Sequence, residues 1–177
     1  MDWRARAALA AFCGLLLGVS LSRADDDTPP ARDFIPGPAW KESQVALPEP
    51  PRDSDLVLVT PASPRSPFEV LLDARALSVG PDRVTRYTVV LRSSAGAQNV
   101  LYEGIRCATG EYRTYAVGSL VGFDTLQESH WERIRAGVGY PFRRALYRDY
   151  LCDRSASPRQ PARVLGDLRA GFNDHEY

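Results

Sequence analysis

The sequence predicts an α+β domain. It consists of an antiparallel sheet of about four to five strands, two C-terminal helices and an extended, proline-rich N-terminal arm. Three observations carry this. Period-two alternation of apolar residues begins at Phe68 and runs through several segments. Helical spacing appears only after Pro141. Ten of the fourteen prolines fall between residues 25 and 67.

Residues 1–24 read as a cleaved secretory signal peptide. MDWRAR supplies basic charge, AALAAFCGLLLGVSL the apolar run, and Ser22 and Ala24 the small residues that a signal peptidase reads. The expected cut follows Ala24. The run is shorter than the about 20 residues that a membrane span needs. Cys13 sits inside it, whereas a lipid-modified cysteine closes such a run. Three arginines and one aspartate leave with the leader, so 22 basic and 22 acidic residues become 19 and 21, a net charge near −2. That balance gives no reason to expect nucleic acid or an anionic membrane as partner. No later apolar run is long enough to span a bilayer. The expected location is the periplasm.

Cleavage leaves two cysteines, Cys107 and Cys152. An oxidising compartment favours their pairing. Neither a C-x-x-C redox spacing nor a metal-ligand set is present.

Residues 25–55 form the arm, and residues 56–177 the domain. Proline fixes φ and removes a backbone donor, so the arm is neither one helix nor a central strand. Asp25 to Pro30 is expected to be disordered. Phe34, Ile35, Trp40, Val45 and Leu47 are too apolar for a linker, so this part should lie across the domain with Trp40 as an anchor.

A short edge strand fits Leu56 to Thr60. The next strand alternates Phe68, Val70 and Leu72 with Glu69 and Asp73. A turn at Gly80-Pro81-Asp82 precedes RVTRYTVVLRS. There Tyr87, Val89 and Leu91 face one way and Arg86, Thr88 and Arg92 the other, the pattern of a half-buried strand. SSAGAQN is a hairpin loop, and NVLYEGIRC and EYRTYAV are the following strands. Residues 122–140 give no clear element, with Trp131 and Ile134 expected to point inward. Pro141 starts one helix with Phe142, Leu146, Tyr147 and Tyr150 on one side. Pro161 starts a second with Val164, Leu165 and Leu168, and Gly171 ends it.

The stretch YEGIRCATGEYRTY, residues 102–115, concentrates charge, tyrosine and glycine. Cys107 to Glu111 reads as a three-residue hairpin loop with Gly110 at the positive-φ position. Strict alternation leaves Tyr102, Gly104 and Arg106 facing opposite to Glu103, Ile105 and Cys107, two mixed faces. A β-bulge at Glu103-Gly104 would instead bury Tyr102, Ile105 and Cys107 together and turn Arg106 outward. On this reading Glu103, Arg106, Glu111 and Arg113 pair across an exposed face. The functional alternative is a small polar ligand held by Glu103, Arg106 and Arg113, with Tyr102 as a wall.

Other chemistry is sparse. Glu128, His130 and Glu132 alternate as a weak metal pattern, and no metal is expected. His175 lies in the tail. A serine-nucleophile elbow, a phosphate-binding glycine loop and a dinucleotide fingerprint are all missing. No cofactor follows. A hydrolase would have to use Glu103 or His130.

WKESQVALPEPP, YEGIRCATGEYRTYAVG and RALYRDYLC, in that order behind a leader, resemble the CNP-one-like family of small exported proteins. The resemblance spans about Trp40 to Gly171. It implies an exported single domain and supports the Cys107–Cys152 pairing. It carries over no catalytic residue, cofactor or mechanism. The expected function is a non-enzymatic periplasmic protein that binds an envelope component, protein or cell wall. The alternatives are the small-ligand binder and the hydrolase.

Overall fold

The structure, a computed structural model, describes residues 39–60, 67–135 and 141–171. The expected leader, the Asp25–Pro30 stretch, Phe34, Ile35 and the His175 tail lie outside these residues.

One antiparallel sheet contains β1 (Leu56–Leu58), β2 (Phe68–Asp73), β3 (Ser78–Val79), β4 (Val84–Ser93), β5 (Gln98–Arg106), β6 (Glu111–Ser119), β7 (Gly122–Thr125) and β8 (Glu132–Arg133). Its order is β1-β2-β4-β5-β6-β7, with β3 pairing to β4 and β8 to β6. Among the described residues the sheet thus has eight strands where four to five were expected. The additional ones, β3, β7 and β8, are two to four residues long. Segments so short carry no readable alternation, and their pairing with long neighbours defines them.

Helix α1 (Phe142–Ala145) continues into a π-helical turn, Leu146–Leu151. Helix α2 (Pro161–Arg169) starts with proline in its first turn, where a missing N–H costs nothing. Gly171, at φ 65°, follows its end. Phe142, Leu146, Tyr150, Leu151, Val164 and Leu168 pack on one face of the sheet, against Val70, Leu72, Tyr87, Val89, Leu91 and Ile105. Each such burial contributes about 1.5–3 kcal/mol and fixes the helical layer on the sheet. The wide turn brings both Tyr150 and Leu151 to full burial. Cys107, at the β5–β6 turn, is disulfide-bonded to Cys152 behind the π-helical turn, with Cα atoms 5.5 Å apart.

The second face is also covered. Leu71, Val90 and Val100 pack with Leu56, Leu120 and Phe123. Tyr102, Tyr115 and Ala116 pack with Val45, which belongs to an extended strap, residues 39–51. Strand β4 is therefore buried on both sides from Val84 to Leu91. The half-buried strand expected there is corrected by this second layer.

The predicted bulge is displaced to the neighbouring strand. β4 and β5 pair without interruption, Tyr87 opposite Glu103 and Arg86 opposite Gly104. The irregularity lies in β6: Tyr102 faces Ala116 and Glu103 faces Thr114, leaving Tyr115 as the additional residue. Tyr115 and Ala116 consequently share a face. Gly104 makes room for that tyrosine, since a Cβ there would lie 2.6 Å from its Oη. The hairpin loop also differs. Arg106 pairs with Glu111, so the loop is four residues, Cys107 to Gly110. Gly110, at φ 63°, donates its N–H to the Arg106 carbonyl at 2.9 Å.

Candidate functional site

Regular pairing through β5 sends its charged residues to opposite faces. Glu103 points into the helical layer and has no exposed surface. Arg143 Nε donates to both its oxygens, at 3.1 and 3.0 Å, and Arg143 Nη2 also donates to Oε1. Tyr87 Oη and Thr114 Oγ1 complete the set at 2.9 Å each. Arg143 further lies over the Tyr112 ring, 4.1 Å from its centroid. Burial first, and then the negative charge of Glu103, hold the Tyr87 hydroxyl well above its ordinary titration range. This is a closed, satisfied cluster in the interior, as buried charge requires.

Tyr102, Arg106 and Arg113 belong to the strap face. Of the four residues singled out in the hairpin, the structure brings these three to one side and separates Glu103 from them. The expected pairing of all the hairpin charges on an exposed face is corrected accordingly: Arg106 meets Glu111 at 3.4 Å, while Arg113 meets Glu42 of the strap at 2.7 Å.

The strap is seated by a few polar contacts. Trp40 Nε1 donates to the Asp82 carbonyl at 2.9 Å, and the Ser43 N–H to Asp82 Oδ2 at 2.8 Å. Arg106 stacks on Trp40, 3.7 Å from its ring centroid. Trp131 meets Trp40 edge-on, with centroids 5.9 Å apart. Asp82 accepts from Arg86 Nη1 and Nη2 at 3.1 and 2.6 Å. Burial alone would raise the Asp82 pKa. The Arg86 hydrogen bonds and the N–H groups of Ser43 and Val84 outweigh it and bring the carboxyl down to about 2.

Glu42 occupies the centre of this face. Its Oε1 accepts from Tyr115 Oη at 2.6 Å, and its Oε2 from Arg113 Nη1 at 2.7 Å and Trp131 Nε1 at 3.3 Å. Arg86 Nη2 stands 3.8 Å away. Burial, followed by the hydrogen bond to Glu42, pushes the Tyr115 hydroxyl far above its ordinary value. Beside Glu42 a cleft of about 610 Å³ opens between the strap and β6–β7. Its polar lining includes Glu42 itself with Lys41, Gln44, Arg113, Tyr115 and Ser129, and Val45, Leu47 and Leu126 form its apolar wall.

His130 lies elsewhere, exposed, with Nε2 3.6 Å from Glu132 Oε1. Among the described residues no three metal-ligating side chains come together, Glu128, His130 and Glu132 included. No helix among the described residues is long and apolar enough to cross a membrane.

A family model for the CNP1-like family matches residues 36–169. The chain belongs to the CNP1-like family. No curated protein and no solved structure matches it. In this CNP1-like chain the match covers both the strap from residue 39 and the sheet beneath it.

No local sequence pattern marks Glu42, Asp82, Arg86 or Arg143 as site-forming residues of the CNP1-like domain. Glu42 meets Arg113 across 71 positions and Arg143 meets Glu103 across 40, distances at which no local pattern operates. The one available signal for Glu42 was its place inside the WKESQ stretch that carries the family resemblance.

Proposed function

We propose that this CNP1-like protein is exported to the periplasm after cleavage behind Ala24. There it acts as a non-enzymatic binding protein for an envelope component, using the strap face. The single observation that carries the reading is the cleft of about 610 Å³ beside Glu42, which joins charged and apolar linings between the strap and the sheet. Lys41 and Arg113 suit an anionic group on the partner, and Val45, Leu47 and Leu126 an apolar one. Neither Glu103 nor His130 lines this cleft, so the reading assigns no catalytic step to them.

The test is site-specific photo-crosslinking in intact envelopes. A photoreactive side chain at Gln44 or Leu47, both in the cleft, should give a discrete crosslinked product. The same group at exposed Arg144, on α1, should not. Equal labelling from all three positions, or from none, would remove the reading.

A second reading, a small polar ligand, is favoured by Arg113, the one residue of the sequence-derived set that lines the cleft. A reproducible adduct in the native mass spectrum of exported protein, lost in Arg113→Gln, would establish it over a macromolecular partner.

A further inference from the structure

We infer that the strap face is a receptor for a carboxylate-bearing peptide, and that Glu42 is its built-in occupant, displaced when the peptide binds. The inference rests on the cleft reading above and names the ligand class for that same site.

The donors around Glu42 come from the sheet and its flank. Tyr115 and Arg113 stand on β6, Arg86 on β4, and Trp131 just before β8. None belongs to the strap. Each of them is also held by something other than Glu42. Arg86 is clamped by both oxygens of Asp82. Arg113 Nε donates to Ser129 Oγ at 3.1 Å, and that hydroxyl is itself tied to the Thr114 carbonyl. Tyr115 packs on Tyr102, with centroids 5.6 Å apart, and meets Trp131 edge-on at 6.5 Å. A seat so supported keeps its geometry when its occupant changes, which is what a receptor for a carboxylate requires.

Arg86 Nη2, 3.8 Å from Glu42 Oε1, is beyond hydrogen-bond range. Its buried Nε has no hydrogen-bond partner among the described residues. Glu42 therefore leaves Arg86 Nη2 bonded to Asp82 and outside its own hydrogen-bond set. A ligand carboxylate seated a little deeper than Glu42 would come within hydrogen-bond range of Arg86 Nη2.

The cleft shares Arg113 and Tyr115 with the seat, so an entering carboxylate arrives at the same donors. Glu42 is the one acid between Trp40 and Leu47, and the strap forms no strand with the sheet. Displacing the Glu42 side chain alone breaks its contacts to Tyr115, Arg113 and Trp131 and leaves the ladder intact. Exchange of one carboxylate for another also conserves the charge balance around Arg86, Arg113 and Asp82. The apolar wall of Val45, Leu47 and Leu126 then selects a peptide with an apolar residue near its glutamate or aspartate.

A tethered competitor acts at an effective concentration in the millimolar range, so removing its charge should raise the affinity for an external carboxylate about tenfold or more. The experiment uses protein purified after export. It is titrated with the peptide acetyl-Ala-Glu-Ala-Ala-Val-amide and with its glutamine counterpart, read by calorimetry. The glutamate peptide should bind the wild type weakly and Glu42→Gln about tenfold or more tighter, and the glutamine peptide should bind neither. Equal affinities of Glu42→Gln and wild type, or no preference for the glutamate peptide, overturn the inference. Wild-type protein supplies a measurement independent of that variant's folding. The Trp131 indole N–H resonance should shift saturably with the glutamate peptide only, and a resonance that does not move overturns the inference as well. Position-specific crosslinks from Gln44 and Leu47 that survive such a failure would leave the binding-protein reading standing, with a different ligand chemistry.

Discussion

Glu103 and Arg143 meet between the sheet and α1, where Arg143 Nε reaches both carboxylate oxygens at 3.1 and 3.0 Å. The carboxylate side chain is wholly buried and that of the arginine is 10 % exposed. The pair joins the centre of β5 to the first turn of the helical layer. A charge in that position is tolerable only while its partner is present.

Removing one partner is therefore expected to be costly. Glu103→Gln removes the buried carboxylate that Arg143 clasps and should lose about 3–5 kcal/mol in denaturant unfolding. Arg143→Met should lose a similar amount, because Glu103 then retains only Tyr87 and Thr114 as donors. The double variant should cost far less than the sum, with a coupling of about 2–3 kcal/mol. Additive losses would show that the pair acts as two independent packing elements.

The disulfide ties the β5–β6 turn to the end of the π-helical turn across 45 positions. Closing a loop of that length in the unfolded chain corresponds to about 4 kcal/mol in the chain-entropy account. Cys107→Ser with Cys152→Ser should lower the unfolding free energy by roughly that amount. Unfolding with and without reductant checks it: reductant should destabilise the wild type and leave the double serine variant unchanged.

Local patterns made much of this fold legible. Alternation located β2, β4, β5 and β6, proline and glycine bounded α2, and the cysteine count gave the crosslink. What escaped was non-local. β4 reads as half-buried because Arg86 and Thr88 are polar, yet Asp82 neutralises Arg86 and the strap side of the sheet is covered. Gly104 reads as a bulge because glycine often marks one, but its missing side chain accommodates Tyr115 on the next strand. The binding face was the least legible part. Its central residue, Glu42, stands in a proline-rich arm where an acid usually means solvent, and only the folded sheet gives it donors.

Acid should loosen the strap through Asp82. Its folded carboxyl titrates at about 2, against an ordinary 3.8, with the side chain 1 % exposed. A depressed acid pKa means stabilisation that is fully present above the unfolded value and lost as pH falls through the folded one. The window is therefore about pH 4 down to about pH 2, and the loss about 2 kcal/mol. Unfolding free energies across that window should fall less steeply for Asp82→Asn than for the wild type. Identical slopes would assign the acid sensitivity to other carboxylates.

Gly104 offers the sharpest separation of strap seating from core stability. A Cβ at this position lies 2.6 Å from Tyr115 Oη and 2.9 Å from Val84 Cγ1. The phenol is the movable neighbour, so Gly104→Ala should push Tyr115 off Glu42 before it disturbs the strand. Overpacking of this kind costs about 1–3 kcal/mol. The local effect should exceed the global one. With Tyr115 displaced, Glu42 retains Arg113 and Trp131, and the strap opens more often. Hydrogen exchange at the Trp40 and Trp131 indoles and at the Ser43 amide, all strap contacts, should accelerate. Amides in β4, which is buried on both faces, should slow or quicken only with global stability. Uniform acceleration across strap and β4 would mean that Tyr115 supports the whole sheet, and that the strap has no independent opening.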